Sequence, residues 1–319
     1  MKNSQATCFF KAQIHYENLG RNWKSLPSSA HRYFPLKIHS RLRQKRVDVF
    51  NYHLTNACNY GCKYCFGKFP CSALSLEAAE LVVENVKRYF VENSIGRGRI
   101  NLVGGEPLLY PKIDDLISFI NELGIDASIV TNGSLLTEDL VASWRGKVSC
   151  IGLSIDSVKE RSNLAIGRAS RGKTLSLAEL KTIAGWVRGA GIKLKVNTVV
   201  SRLNLSEDLL EVYRALKPER LKLFQVQVVE GTNDSAKRFL ISRDEFEGFR
   251  KKVASEFPNL VGEHEGQMEN SYVMIDPAGR ILMNNEGRYE VYGSCLEREV
   301  GKILEATPLD KEKFNARYF

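Results

Sequence analysis

Three cysteines lie close together in the stretch CNYGCKYCF, where Cys58, Cys62 and Cys65 are spaced four and then three residues apart. Clustered cysteines in a reduced compartment indicate a metal site rather than disulfide bonds. A zinc ribbon or finger needs a second pair of Cys or His ligands about 12–20 residues away. Cys71 follows Cys65 by only six residues and His53 precedes the cluster by only five, so neither has that spacing.

A site with only three thiolates suits a metal centre that keeps one position open. A cube of four irons held by three cysteines leaves one iron without a protein ligand. A small molecule that carries an amine and a carboxylate can chelate that iron. The three cysteines therefore predict a [4Fe–4S] cluster, with a zinc site and isolated structural cysteines as the alternatives.

The composition is that of a globular, basic chain. Of its 319 residues 43% are hydrophobic, which allows a large buried core and argues against disorder. The net charge of +9 predicts an anionic partner: nucleic acid, an acidic membrane surface or a phosphorylated small molecule. The opening residues lack the apolar stretch of a signal peptide, and no run approaches the ~18 apolar residues of a membrane span. We therefore expect a cytoplasmic protein.

From residue 48 onward, apolar strands alternate with amphipathic helices. Six segments are predicted as strands: VDVFNYHLT, RINLVG, ASIVTNG, VSCIGLSID, KLKVNTVV and RLKLFQVQVV. Strands separated by helices imply a parallel sheet with right-handed crossovers. Six units are too few for an ordinary eight-stranded barrel, so we predict an α/β fold with a partial, open (β/α)6 barrel over residues 48–240. A basic, partly ordered N-terminal extension over residues 1–47 and a C-terminal cap over residues 241–319 are also predicted.

The cysteine loop follows the first predicted strand, at the edge where parallel barrels place their sites. Its pattern C-x3-C-x-aromatic-C, with Lys63 and Tyr64 before the last cysteine, resembles the radical S-adenosylmethionine (SAM) enzymes. The resemblance implies a [4Fe–4S] cluster on the three cysteines and SAM as the second cofactor. It also implies SAM contacts from Tyr64, from Gly104, Gly105 and Glu106 of LVGGEP, from Asn132 of VTNGS and from Ser154 of LSIDS. Taken alone, the glycines and Asn132 would indicate only tight turns.

Longer segments make the resemblance more specific. FNYHLTNACNYGCKYCF, INLVGGEPLL, IGR, KVNTVVSRLN, RLKLFQVQVVEGTN and NSYVMID, which lie between about residues 49 and 276, are similar to the viperin-like radical SAM enzymes. Residues 1–47 do not resemble the membrane-binding helix of the vertebrate members, and Gly67 replaces a histidine found there. The chain ends in NARYF, without their tryptophan-terminated tail, which puts iron–sulfur insertion by the same route in doubt. The resemblance is therefore to the prokaryotic type.

A viperin-like enzyme acts on a ribonucleoside triphosphate, whose roughly four negative charges need matching cations. Lys195 and Asn197 are two residues apart on one predicted strand and so share one face, as do Arg220 and Lys222 on the next. We predict that these residues form a triphosphate clamp, extended by Arg99 and Arg168. The resemblance places Asn51, Asn101 and Tyr272 around the ribose and base. The alternative interpretation is solvated surface charges and, for Tyr272, ordinary strand packing.

The resemblance implies conversion of CTP, UTP or GTP to its 3′-deoxy-3′,4′-didehydro analogue by C4′ hydrogen abstraction and dehydration, in antiviral defence. It implies no catalytic side chain beyond the cluster and SAM, a flavodoxin or ferredoxin as reductant, and neither a nucleic acid nor a membrane as partner. A molybdopterin-type or peptide-modifying radical SAM enzyme is an alternative, although only Cys295 lies where peptide-modifying members carry extra clusters. A basic nucleic-acid-binding protein with a structural metal is an alternative from another class. The preferred base and the oligomeric state are not readable from the sequence.

Overall fold

The computed structural model describes residues 46–318. The predicted N-terminal extension therefore lies outside the described residues, apart from Arg46 and Val47. Among residues 46–318, no helix is both long enough and apolar enough to cross a membrane.

The described residues form one sheet of ten strands. The strands are β1 (Val49–His53), β2 (Arg99–Val103), β3 (Asp126–Thr131), β4 (Val148–Ser154), β5 (Lys193–Val200), β6 (Arg220–Gln225), β7 (Val261–Glu263), β8 (Met274–Ile275), β9 (Arg280–Asn285) and β10 (Arg288–Ser294). Their order across the sheet is β10-β9-β8-β1-β2-β3-β4-β5-β6-β7. Because β10 and β7 are the two edges and do not pair with each other, the sheet is open.

Strands β1 to β7 pair in parallel with their sequence neighbours, and β8 pairs in parallel with β1. Only the pairings β8–β9 and β9–β10 are antiparallel. The predicted partial, open barrel of six βα units is therefore confirmed. Residues after 240, predicted as a cap, add β7 beside β6 and β8 to β10 beside β1, so they extend the sheet at both edges.

Ten α-helices connect or follow these strands in residues 46–318. They are α1 (Leu76–Glu92), α2 (Ile113–Glu122), α3 (Glu138–Ser143), α4 (Glu160–Ile166), α5 (Leu177–Gly189), α6 (Leu210–Leu216), α7 (Arg243–Ala254), α8 (Glu265–Met268), α9 (Val300–Glu305) and α10 (Lys311–Tyr318). Short 3-10 helices lie at Pro107–Leu109 and Asp234–Phe239. Ser176 and Glu179 form a capping box that starts α5, so that helix begins where its sequence specifies.

Side chains alternate between the two faces of the sheet, as the period of a strand requires. On β2, Ile100 and Leu102 are fully buried in the apolar core beneath the helices. Asn101 between them faces the barrel interior, where it donates to Asn51 Oδ1 of β1 at 2.8 Å and accepts from the Ser128 hydroxyl of β3. The barrel therefore has an apolar outer layer and a polar interior, and the polar interior positions the site.

The same substitution, Gly to Ala, should have opposite effects on stability at two positions. A Cβ at the buried Gly98 would lie 2.2 Å from the Phe90 ring, so Gly98→Ala overpacks the core and should cost about 1–3 kcal/mol. A Cβ at Gly185, exposed on α5, meets nothing within 4 Å, so Gly185→Ala should stabilise by up to about 1 kcal/mol through helix propensity. Urea denaturation midpoints measure both shifts. Shifts of the same sign would contradict this account of the core around β2.

Candidate active site

The three cysteines lie on the loop that follows β1, here called the cysteine loop (residues 54–66). Backbone hydrogen bonds fix this loop to the end of α4: Gly61 N donates to Gly167 O, and Lys63 N to Ile166 O, both at 2.9 Å. Gly167 has φ of 93°, and a Cβ there would meet Gly61 O at 2.2 Å. The middle residue of the IGR segment is therefore glycine because the cysteine loop packs directly on its backbone.

The thiols of Cys58, Cys62 and Cys65 form no disulfide bonds. Partial burial raises the pKa of the Cys58 thiol, and burial raises that of Cys62 to about 12; Cys65 adds to both shifts, and Cys58 adds to that of Cys62. Each thiol thus lies within the electrostatic reach of the others. Among the residues that the structure describes, no group of three or more His, Cys, Asp or Glu side chains is arranged to hold a metal ion. The donor set fits a cluster chemically, because thiolates are the ligands of iron–sulfur clusters and bound iron offsets their cost of ionisation.

The loop after β2 packs on the cysteine loop through its backbone. Gly105 N donates to Thr55 O at 2.7 Å, and Glu106 N donates to Ala57 O at 2.8 Å. A Cβ at Gly105 would lie only 2.4 Å from Ala57 O, so no other residue fits without moving one loop. The resemblance implies that the backbone of Gly104 and Gly105 contacts SAM. The structure shows that the backbone of this glycine pair lies close to the cysteine loop.

Glu106 is fully buried beside these glycines, and its carboxylate accepts hydrogen bonds from other residues of the chain. It accepts hydrogen bonds from Thr131 Oγ1 at 2.7 Å, from Asn132 N at 2.8 Å and from Leu108 N at 3.2 Å. Burial raises the pKa of Glu106, and these three donors oppose that shift. The carboxylate thereby joins the loop after β2 to the end of β3.

Two residues predicted to contact SAM, Asn132 and Ser154, line one cavity at the ends of β3 and β4. Asn132 Nδ2 donates to Asn59 Oδ1 of the cysteine loop at 2.8 Å, so its side chain also links β3 to that loop. Tyr60 and Arg168 line the same cavity. The structure thus brings the cysteine loop, Asn132 and Ser154 together, as the sequence predicted.

Arg168 lies at this end of the barrel, apart from the other residues predicted to form the triphosphate clamp. Its Nη1 donates to Asp156 Oδ2 at 3.0 Å and lies 3.8 Å from Cys62 Sγ, and its Nη2 donates to Ser154 O. The charges that act on it are those of Asp156, Cys62 and nearby tyrosines. The prediction that Arg168 extends the phosphate clamp therefore receives no support from its position.

Asp156 organises this region, although sequence reasoning did not single it out. It is buried, and it accepts from the Tyr64 hydroxyl at 2.8 Å and from Val199 N at 2.7 Å as well as from Arg168. Tyr64, a predicted SAM contact, is thus turned inward to Asp156. A carboxylate two residues after Ser154, just past the end of β4, was the signal that could have revealed it.

Three cations converge near the opposite end of the interior, close to the starts of their strands. Lys195 of β5 is in register with Arg220 of β6, and the charges of Arg220 and of Arg99 on β2 both act on Lys195. Burial lowers the pKa of Lys195; Arg220 and Arg99 lower it further, while the Cys150 thiol opposes the shift. The Cys150 thiol therefore lies near these cations. Arg99, Lys195 and Arg220 are here called the cation floor.

Two buried atoms at this end of the barrel have no hydrogen-bond partner among the described residues. One is Arg99 Nε of the cation floor, and the other is Asn197 Oδ1 beside it. Asn197 is in register with Ser154 on one side and with Lys222 on the other. Buried polar atoms normally have a partner, so a polar ligand is the expected occupant of this space.

Lys222, the remaining predicted clamp cation, is paired within the protein. Its Nζ lies 2.5 Å from Glu263 Oε1 and donates to the Tyr272 hydroxyl, which itself donates to Glu263 Oε2 at 2.6 Å. The Arg317 guanidinium lies 3.8 Å from the centre of the Tyr272 ring and 3.4 Å from Glu263. Burial lowers the pKa of Lys222 to about 8 although Glu263 raises it.

Glu263 and Arg317 were missed in the sequence. Glu263 ends β7, a strand of three residues that the hydrophobic pattern did not reveal, and Arg317 lies in α10 at the end of the described chain. Arg317 O also accepts from Arg220 Nη2, which ties α10 to the cation floor. No short motif marks either residue, because the folded chain alone brings them to Tyr272.

Asn51 and Asn101, predicted to lie around the ribose and base, are neighbours on β1 and β2 in the barrel interior. Their amide–amide hydrogen bond continues to Ser128 of β3. Asn51 is also in register with Met274 of β8, near Tyr272. The structure therefore places the predicted ribose-facing residues inside the barrel with the cation floor.

Comparison with known proteins gives the fold and the family. Residues 52–216 match the Radical SAM superfamily. Among solved structures, Streptococcus suis SuiB bound to S-adenosylmethionine superimposes with a TM-score of 0.62 at 17% identity, covering 82% of this chain and 66% of SuiB. The protein anSMEcpe with bound AdoMet and a peptide gives a TM-score of 0.64 at 16% identity, covering 83% of each chain. At these identities the likeness shows a shared fold.

Two relatives at higher identity carry the name S-adenosylmethionine-dependent nucleotide dehydratase. The one from Flammeovirga pacifica is 37% identical over 277 residues, which cover 84% of this chain and 93% of the relative. The one from a Thermoplasmatales archaeon (strain ISO4-H5) is 34% identical over 273 residues, covering 84% of this chain and 92% of the relative. Similarity of this extent shows the family, and the chain belongs to the S-adenosylmethionine-dependent nucleotide dehydratases of the radical SAM superfamily.

Proposed function

We propose that this chain removes water from a ribonucleoside triphosphate (CTP, UTP or GTP) to give the 3′-deoxy-3′,4′-didehydro nucleotide, with antiviral defence as its role. The cation floor is the observation that supports this most strongly. Burial lowers the pKa of Lys195, and the neighbouring Arg220 and Arg99 lower it further because like charges repel. A polyphosphate that binds there removes this repulsion and forms charge-assisted hydrogen bonds.

The chain uses a [4Fe–4S] cluster and SAM. When bound, these groups supply the electron and the carbon radical that takes a hydrogen atom from the substrate. We propose that Cys58, Cys62 and Cys65 hold the cluster and that Asn132 and Ser154, which line one cavity beside the cysteine loop, contribute to the SAM site. Tyr64 and Glu106 are assigned to shaping this cavity, because their polar atoms already bond to Asp156 and to the end of β3.

The two ends of the barrel interior orient the nucleotide. With the triphosphate on Arg99, Lys195 and Arg220, the ribose extends toward the cysteine loop. Asn51, Asn101, Asn197 and Tyr272 are the polar side chains between these ends, and we assign them to the ribose and base. A sugar hydrogen then faces the cofactor. Near-contact of about 3–3.5 Å and a fixed orientation make one position react, and we propose C4′.

Lys222 has a different role from the one predicted. Because Glu263 neutralises it, Lys222 adds little net charge for the triphosphate in this arrangement. We assign Lys222, with Glu263 and Arg317, to holding Tyr272 in place. Arg168 is assigned to the cofactor end of the barrel, since it contacts Ser154, Asp156 and Cys62.

The alternatives fit these residues less well. A peptide-modifying enzyme of the same fold has no need of three converging cations in its interior. A nucleic-acid-binding protein has no need of cations inside a barrel, where Lys195 and Lys222 lie. We further infer a cytoplasmic protein that takes its electrons from a flavodoxin or ferredoxin.

Anaerobic incubation of the reconstituted protein with SAM, a reductant and each ribonucleoside triphosphate tests the proposal. We expect 5′-deoxyadenosine to form only when the preferred triphosphate is present. A nucleotide deuterated at C4′ should transfer its label to 5′-deoxyadenosine, and one deuterated at C2′ should not. Cleavage of SAM that no nucleotide stimulates, or label from another carbon, would refute the proposed reaction.

The cluster assignment predicts a sharp difference among cysteines. Replacement of Cys58, Cys62 or Cys65 by Ala should abolish SAM cleavage and reduce bound iron, because each removes one of three thiolate ligands. Cys150→Ala is the matched control: it lies inside the same barrel but apart from the cysteine loop, and it should keep its iron. Iron content and the visible absorbance of the cluster measure both results. Full iron content in a cysteine-loop variant would contradict the assignment.

The cation floor predicts a change in nucleotide affinity. Lys195→Ala removes one charge-assisted contact, worth about 1.5–3 kcal/mol, and should raise the nucleotide KM roughly 10- to 150-fold. Lys193, exposed two residues earlier on the same strand face, is the matched control, and Lys193→Ala should leave the KM nearly unchanged. Affinity for SAM should stay the same in both variants. Equal KM values in the two variants would place the triphosphate elsewhere.

A further inference from the structure

The outer side of the cysteine loop reaches the protein surface. Gly61 and Lys63 are exposed there, and Cys58 is exposed as well. On one side the loop bonds to α4, with Lys63 Nζ donating to Ala165 O at 2.7 Å. On the other side it bonds to the 3-10 helix Asp234–Phe239, with the Ser235 hydroxyl donating to Lys63 O at 3.0 Å. The cysteine loop, α4 and this 3-10 helix therefore form one continuous surface.

This surface carries an excess of positive charge. Its exposed cations are Lys63, Lys159, Arg161, Lys237 and Arg238, against two exposed carboxylates, Glu160 and Asp234. Asp234 lies 3.9 Å from Lys237, an exposed contact that neutralises little. Leu164, which is 44% exposed, lies one helical turn after Arg161 on α4. We call the surface that carries Leu164 and these five cations the basic face.

We infer that the basic face docks a small acidic one-electron carrier protein; this rests on the proposed function, because only a radical reaction needs such a partner. Loss of a hydrogen atom and then of hydroxide from the nucleotide leaves a sugar radical cation, which one further electron reduces. Each turnover therefore takes in two electrons, one to cleave SAM and one to complete the product. Both must come from outside the chain.

The position of the basic face fits this partner. The cysteines that would hold the cluster, Cys58, Cys62 and Cys65, belong to the loop that forms part of the basic face, so a carrier docked there would come close to them. Complementary charge speeds encounter between a basic surface and an acidic protein by roughly 10- to 1,000-fold at low salt. Redox partners use small, transient interfaces, and one exposed apolar side chain on a basic surface is enough for such a contact.

The test compares two reductants for the cluster. The double variant Arg161→Glu/Lys237→Glu reverses two charges of the basic face. The control variant Arg88→Glu/Lys147→Glu reverses two exposed charges near the end of α1 and just before β4, at the opposite end of the barrel. Stopped-flow measurement of cluster absorbance follows reduction by an acidic flavodoxin, prepared reduced, and separately by dithionite, which needs no docking surface.

We expect the basic-face variant to be reduced by flavodoxin about tenfold more slowly than wild type or the control variant at low salt. The difference should shrink near 0.5 M salt because ions screen exposed charges. Reduction by dithionite should be similar in all three proteins, which shows that the cluster and fold are intact. Flavodoxin rates that are equal in the two variants would overturn the proposal.

Two further outcomes separate this proposal from its alternatives. If the basic-face variant keeps its flavodoxin rate but loses retention on RNA, the surface binds nucleic acid and the proposal is wrong. If wild-type protein is reduced by both reagents but makes no product from any nucleotide, the proposed dehydration fails. The absorbance measurement then still decides whether the basic face docks the carrier.

Discussion

The backbone contact between the cysteine loop and the loop after β2 is the constraint on which the rest of the site depends. Gly105 N and Glu106 N donate to Thr55 O and Ala57 O, and a Cβ at Gly105 would lie 2.4 Å from Ala57 O. This contact sets how far the cysteines project over the end of the barrel. It also satisfies backbone groups of a loop that has no regular secondary structure of its own.

Two buried carboxylates extend this constraint to the other strand ends. Glu106 ties the loop after β2 to β3, and Asp156 ties β4 and the cysteine loop to β5 through Tyr64 and Val199. Burying a carboxylate costs free energy unless hydrogen bonds replace its water. Each accepts three hydrogen bonds from the chain, so both are stable where they are. The strand ends β2 to β5 thus hold the cysteine loop as one unit.

Charge is divided along the barrel interior. The carboxylates of Glu106 and Asp156 lie at the cofactor end and are hydrogen-bonded or paired, whereas the cation floor lies at the other end, where Arg99 is 3.6 Å from Asp126. Among residues 46–318, Lys195 and Arg220 form no ion pair, while Lys222 is paired with Glu263. The protein therefore keeps net positive charge where we propose that the triphosphate binds, and it neutralises charge where Tyr272 must be held. Repulsion within the cation floor disfavours the empty site and so favours an anionic ligand.

The sequence by itself determined the six βα units, the cysteine loop and the alternation of apolar and polar residues, because each depends on local spacing. The sequence also determined that Asn132 and Ser154 lie near each other, because residues at the ends of parallel strands meet at one edge of the sheet. Only the tertiary structure decided that Arg168 lies beside Cys62 and that Glu263 neutralises Lys222. It also decided that the loop after β2 packs on the cysteine loop. Glu263 and Arg317 lie far along the chain from the residues they contact. Which charges neutralise one another depends on distances that folding sets, and those distances have no local pattern in the sequence.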